Sequence, residues 1–196
     1  KQRRVDVALV IDASTSMLEE TAPGRSKLDA ARAAVRVFLD QLHLADGDQA
    51  AIVTFNSEAA ALQRLTADRA GLDRALDAIA TVTGTRIHLG IQAGADELAG
   101  DRHRPGNSRA LVVLTDGRAN PDSPELAVER ARAATASGIA VFTIGLGNEL
   151  DFDALERMAS RPEYYHEAPT AADLETIYRT IAVAIPCPPE SFWGGR

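Results

Sequence analysis

Two kinds of hydrophobic pattern alternate along this chain. Near-continuous apolar runs at Val5–Ile11, Ala110–Leu114 and Ile139–Ile144 are typical of parallel strands buried on both faces. Between them, apolar residues recur at a spacing of three or four, which predicts amphipathic helices with one buried face. The predicted helices cover Lys27–Leu42, Asp68–Ile79, Ile87–Leu98, Ser123–Ser137, Asp151–Ser160 and Ala171–Ile185.

Three shorter patterns complete a predicted sheet of six strands. Ala50–Phe55 is a further apolar strand, Ala59–Leu65 is predicted to pair antiparallel to it at an edge, and Tyr164–His166 is predicted as a short edge strand. Glu19–Ser26, with Pro23 and Gly24 inside it, is predicted to be a loop. Strands that alternate with helices indicate an α/β fold: Rossmann-like and doubly wound, with a mainly parallel sheet and helices on both faces. One domain over residues 1–185 and a tail over residues 186–196 are expected.

Polar side chains follow the predicted strands at the points where they end. Asp12, Ser14 and Ser16 come at alternate positions directly after the first strand, and Asp116 follows another. Thr85 lies in a glycine-containing loop that leads into a helix. Loops after parallel strands gather at one edge of a doubly wound sheet, where such folds bind their ligands. Two carboxylates and three hydroxyls are hard oxygen donors, so the sequence predicts a site for Mg²⁺, or for Mn²⁺ or Ca²⁺.

A purely structural role stays open for each of these residues taken singly. Ser, Thr and Asp at strand ends are also common turn and helix-cap residues. Asp12, taken alone, fits a structural role as well as it fits a role as a metal ligand. Asn120, in the loop after Asp116, is interpreted as a residue that shapes the loop. His88 lies near the Thr85 loop but is expected on the helix that follows.

The ordered set of motifs resembles the von Willebrand factor type A domain, including its metal ion-dependent adhesion site. The resemblance covers about residues 5–185, and its motifs are Asp12-x-Ser14-x-Ser16, Gly84-Thr85 and Thr115-Asp116-Gly117. It implies Ser14, Ser16 and Thr85 as hydroxyl ligands, with Asp12 and Asp116 binding directly or through water. It also implies a partner protein whose acidic side chain completes the coordination of the metal.

Motifs for enzymatic chemistry are missing from the sequence. A haloacid dehalogenase phosphatase needs a second Asp where Ser14 stands, and no P-loop or Gly-x-Ser-x-Gly motif occurs. Gly145 and Gly147 lack the rest of a dinucleotide fingerprint. We therefore expect a non-enzymatic, cation-dependent adhesion-type module. The alternative is a subunit that works with an ATPase partner, as in magnesium chelatase, because the same motif occurs there.

Composition narrows the choice of partner. The net charge of −7 argues against nucleic acid as the main partner, since binding phosphate needs a basic face. No apolar run is long enough to span a membrane.

The one cysteine, Cys187, excludes an internal disulfide, and it lies in the same tail as Trp193. These tail residues, with no ATPase module in the chain, slightly favour an extracytoplasmic or cell-surface location. Arg86 follows Thr85, and Arg118 comes two residues after Asp116. Both are candidates to place positive charge around the predicted metal site.

Overall fold

The structure, a computed structural model, describes residues 4–185. The predictions for Cys187, Trp193 and the rest of the tail lie outside the described residues. The strands are β1 (Val5–Asp12), β2 (Glu20–Ala22), β3 (Arg25–Ser26), β4 (Gln49–Phe55), β5 (Ala59–Thr66), β6 (Ser108–Thr115), β7 (Ile139–Leu146) and β8 (Tyr165–Ala168). The helices are α1 (Lys27–Leu39), α2 (Arg69–Asp77), α3 (Ile87–Ala99), α4 (Pro124–Ala136), α5 (Phe152–Met158) and α6 (Ala171–Ala184).

Six of these strands form one sheet in the order β5-β4-β1-β6-β7-β8. Five of them run parallel, and β5 pairs antiparallel with β4 at one edge. The Rossmann-like doubly wound fold predicted from the sequence is therefore confirmed. The chain moves from β1 to β4 on one side and later returns to add β6 on the other side. This reversal of strand order places the carboxyl ends of β1 and β6 at the switch point, where ligand sites form in such folds.

Helices cover both faces of the sheet. Alternate residues of β1 divide between the two layers: Val7 and Leu9 face α1, α2 and α6, whereas Ala8 and Val10 face α3, α4 and α5. All four side chains are fully buried, which explains why the strand is nearly all apolar. Within residues 4–185, no helix is long and apolar enough to cross a membrane.

Two local predictions were wrong. The segment predicted as a loop over Glu19–Ser26 contains a short antiparallel ribbon, β2 paired with β3, that turns at Gly24 with φ of 71°. Helix α1 ends at Leu39 instead of Leu42, although Leu42 still packs against the core from the turn that follows. Hydrophobic spacing predicts which residues are buried there, but it does not locate the last hydrogen-bonded turn.

Candidate metal centre

The loop after β1 is held by hydrogen bonds within itself and to β4. The Ala13 N–H donates to the Phe55 carbonyl (2.8 Å), which continues the strand pairing by one residue. The Ser14 N–H donates to Asp12 Oδ1 (2.8 Å), and the Ser14 and Ser16 hydroxyls are hydrogen-bonded at 2.9 Å. This Asp-centred turn brings alternate side chains of the motif to one side of the loop.

The loop after β6 joins this network, because β1 and β6 are neighbours in the sheet. The Thr115 hydroxyl donates to Asp12 Oδ2 (2.6 Å), and the Ser16 hydroxyl donates to Asp116 Oδ1 (2.7 Å). Four of the five predicted ligands, Asp12, Ser14, Ser16 and Asp116, are thus connected by successive hydrogen bonds. Residues that are about 100 positions apart in the sequence meet at the carboxyl end of two adjacent strands.

Thr85 reaches the same region from a third loop. Its N–H donates to the Asn120 carbonyl (2.8 Å), and the Asn120 N–H donates back to the Thr85 carbonyl (3.1 Å). Gly84 precedes it with φ of 100°, and a Cβ there would lie 3.0 Å from the Ser57 backbone nitrogen, so a side chain would be strained. This backbone bridge fixes Thr85 beside the β6 loop, which agrees with a loop-shaping role for Asn120.

An open cleft of about 670 Å³ lies over this part of the sheet edge. Ser16, Thr85 and Asp116 line it, and the other lining residues are Glu19, Lys27, Gly117, Arg118, Asn120, Asn148 and Glu149. Lys27, Asn148 and Glu149 were not predicted from the sequence. The two residues after β7 could have been found, since every loop after a parallel strand reaches the same edge.

The remaining candidates lie at different places around the cleft. Arg118 lines it and is exposed, in agreement with a place on the rim. Arg86 pairs instead with Asp122, with Nε 3.3 Å from Oδ2. His88 lies on α3 with Nδ1 3.8 Å from the same carboxylate, and burial is the main cause that lowers its pKa.

Asp12 is the electrostatically strained member of the network. Its side chain is completely buried, and this burial raises its pKa from 3.8 to about 6. Hydrogen bonds from Ser14 and Thr115 oppose the rise, whereas the like charge of Asp116 adds to it. Two nearby carboxylates in a buried setting create a negative site that favours a cation.

Lys27 places a positive charge in the cleft. Its Nζ lies 2.9 Å from Asp116 Oδ2 and 2.6 Å from Glu19 Oε2. Burial lowers the pKa of Lys27, but the hydrogen bonds and charges of Glu19 and Asp116 outweigh it, so the net shift is upward. The ammonium is therefore held in its charged form against the Asp116 carboxylate.

The donor set fits a hard divalent cation. It offers carboxylate and hydroxyl oxygens, which suit Mg²⁺, Mn²⁺ and Ca²⁺. Across residues 4–185 there is no group of three or more His, Cys, Asp or Glu that could hold a metal ion, so any site here depends on the hydroxyls. If a cation binds, Asp12 and Asp116 supply its negative charge, and Ser14, Ser16 and Thr85 supply neutral oxygens.

Comparison with known proteins agrees with this fold. The model of the von Willebrand factor type A domain family matches residues 6–180. A UPF0353 protein of Nocardia farcinica is 34% identical over 161 residues, which cover 76% of this chain and 47% of that protein. The chain spans about half the length of the curated relatives it matches.

Two solved structures show the same fold. The von Willebrand factor domain of the type V pili tip protein Mfa5 from Porphyromonas gingivalis has a TM-score of 0.79 at 18% identity, covering 94% of this chain and 96% of that one. Proximal thread matrix protein 1 from the mussel byssus was solved with zinc in its MIDAS motif (the metal ion-dependent adhesion site). Its TM-score is 0.74 at 23% identity, and the match covers 92% of this chain and 46% of that one. On the match over residues 6–180, this chain belongs to the von Willebrand factor type A domain family.

Proposed function

We propose that this chain is a non-enzymatic protein-binding module that uses a bound divalent cation to hold an acidic side chain of its partner. One observation carries the proposal. Asp12, Ser14, Ser16 and Asp116 are linked by successive hydrogen bonds, and Ser16 and Asp116 share an open cleft with Thr85. The preferred cation is Mg²⁺ or Mn²⁺, with Ca²⁺ as a further candidate.

Each part of the site has a distinct role in this function. The two carboxylates attract the cation, and the three hydroxyls complete its coordination without adding charge. When bound, the cation supplies an open coordination position for a carboxylate oxygen of the partner. The open cleft, of about 670 Å³, has room for that side chain, and Arg118 on its rim adds a positive charge that favours an acidic partner.

Two of the similar structures support the proposal. The mussel byssus protein has a zinc-occupied MIDAS motif, so the same fold holds a divalent metal at that motif. The Porphyromonas gingivalis relative is a pilus tip protein, which supports an extracytoplasmic or cell-surface location for this chain as well. We extend the proposal to the whole domain over residues 1–185, with residues 186–196 as a tail.

Metal binding tests the first half of the proposal. Isothermal titration calorimetry with Mn²⁺ and Mg²⁺ is expected to show one site in the wild type and none in Asp12→Ala. Asp122→Ala is the matched control, because it removes a carboxylate that pairs with Arg86 and is not part of the hydrogen-bonded series. Binding that survives in Asp12→Ala would remove the metal from this loop.

Partner binding tests the second half. The wild-type domain, immobilised, is incubated with extract from its source cell in Mg²⁺ or in EDTA, and Asp12→Ala is the parallel bait. We expect proteins that are retained only by the wild type and only with Mg²⁺. Their retention should be lost when free acetate competes at high concentration, since acetate offers the same carboxylate. Equal retention in EDTA would contradict a cation-dependent interface.

A further inference from the structure

Lys27 is held in the cleft by the start of α1. Ser26 caps this helix by accepting the Asp29 N–H, and the Lys27 N–H donates to the Glu19 carbonyl (2.9 Å). The backbone at Lys27 is therefore fixed from both sides. Its side chain is only 18% exposed and points to Asp116, so the contact is not that of a freely moving surface lysine.

The ammonium uses the same carboxylate that the proposed metal site needs. Asp116 is buried; its Oδ1 accepts from Ser16, and its Oδ2 accepts from Lys27 at 2.9 Å. A cation that bonded directly to Asp116 would lie within a few ångströms of this ammonium. Charges that are so close and partly buried are screened much less by salt than exposed charges are, so the two cations repel each other.

We propose that Lys27 competes with the divalent cation for Asp116 and thereby lowers the affinity of the metal site. This inference rests on the proposed function. Glu19 gives the ammonium a second partner at 2.6 Å, so Lys27 can stay paired when Asp116 turns to a metal. Glu19 is well exposed, at 65%, and is suited to hold the lysine at the outer edge of the cleft.

Other roles for Lys27 predict no rise in metal affinity when it is removed. If Lys27 orients Asp116 for the metal, or only ties α1 to the β6 loop, its removal lowers the metal affinity or leaves it unchanged. Competition alone predicts that the affinity rises when the ammonium is removed. The direction of the change in Kd therefore separates competition from a positioning or purely structural role.

The test is calorimetry with Mg²⁺ and Mn²⁺ on the wild type and Lys27→Met. We expect the Kd to fall by about tenfold in the variant, the size of one charge-assisted hydrogen bond. Lys27→Arg should return the Kd towards the wild-type value, because it restores a cation. Arg25→Met is the matched control: it removes the same charge two residues away, where the guanidinium lies 3.7 Å from Glu175.

Each outcome has one meaning. A Kd that is unchanged or higher in Lys27→Met overturns the competition, and so does an equal gain in Arg25→Met, which would reflect net charge alone. Wild-type binding that depends on Asp12 leaves the proposed function intact in either case. Failure of both the wild type and Lys27→Met to bind metal overturns both proposals. Circular dichroism verifies the fold, and Lys27→Gln replaces the methionine variant if that one does not fold.

Discussion

Replacing Asp12 with asparagine is expected to stabilise the protein in metal-free buffer while it removes a carboxylate from the proposed metal site. The substitution keeps the size of the side chain and removes its charge. Both contacts survive, because the amide oxygen can accept from the Ser14 N–H and the amide NH₂ can donate to Thr115 Oγ1. The Thr115 hydroxyl then donates to the Gly117 carbonyl, which already lies 3.3 Å away.

The size of the effect follows from the pKa of Asp12. Burial raises this pKa from 3.8 to about 6, so the folded protein holds the proton more tightly than the unfolded chain does. Stability is therefore greatest below the unfolded value and is lost as pH rises through the folded value. At about 1.4 kcal/mol per pKa unit, the charged Asp12 costs about 3 kcal/mol at pH 7. The asparagine does not carry this cost.

Urea denaturation, followed by circular dichroism in buffers freed of divalent ions, measures the effect. The difference in free energy of unfolding between Asp12→Asn and the wild type should be near zero below about pH 4 and approach about 3 kcal/mol above about pH 6.5. For a domain of this size, that corresponds to a rise in Tm of about 6–12 °C at pH 7. A variant that is no more stable than the wild type at pH 7 would refute the reasoning.

Three further predictions concern cation binding and the packing of α3. Mg²⁺ at about 100 times its Kd should raise the free energy of unfolding of the wild type by about 2.7 kcal/mol, measured by denaturation with and without EDTA; an unmoved transition would count against a bound cation. Gly90→Ala places a Cβ 2.5 Å from Phe55 Cδ1, so urea denaturation should show a loss of about 1–2 kcal/mol after the gain in helix propensity. Glu97→Ala leaves the Leu65 N–H without its 2.8 Å acceptor, which should cost about 1–3 kcal/mol and speed hydrogen exchange of that amide.

The sheet could be predicted from sequence because its strands are buried on both faces. The three continuous apolar runs became β1, β6 and β7, each longer than its run. Strand β6 begins at Ser108, where backbone pairing with Val5 of β1 continues past the apolar residues. The β2–β3 ribbon carries no such signal, since β2 is exposed and the ribbon is held by its own turn. The pattern of apolar residues predicts which residues are buried. It does not predict where a strand ends, because that depends on backbone pairing with the neighbouring strand.

The candidate site also contains residues that could be predicted from the sequence and one residue that could not. The structure places Asp12, Ser14, Ser16, Thr85 and Asp116 at one edge, as expected for residues that follow parallel strands or open a neighbouring helix. Their role as ligands stays a prediction. Lys27 could not be found from sequence, because its contact with Asp116 depends on where α1 starts relative to a loop 89 residues later.

The two ends of β1 carry buried carboxylates in different surroundings. Asp6 is fully buried at the amino end and accepts hydrogen bonds from the Arg104 N–H, the Asn107 amide and His103 Nδ1, at 2.7–2.9 Å. Asp12, equally buried, has two donors and a like charge nearby. Asp6→Asn would turn an NH₂ group towards these donors, so it should destabilise the protein by about 1–3 kcal/mol in the same metal-free urea experiment. Opposite signs for Asp6→Asn and Asp12→Asn would show that β1 holds one carboxylate that stabilises the fold and another that is kept at a cost in stability.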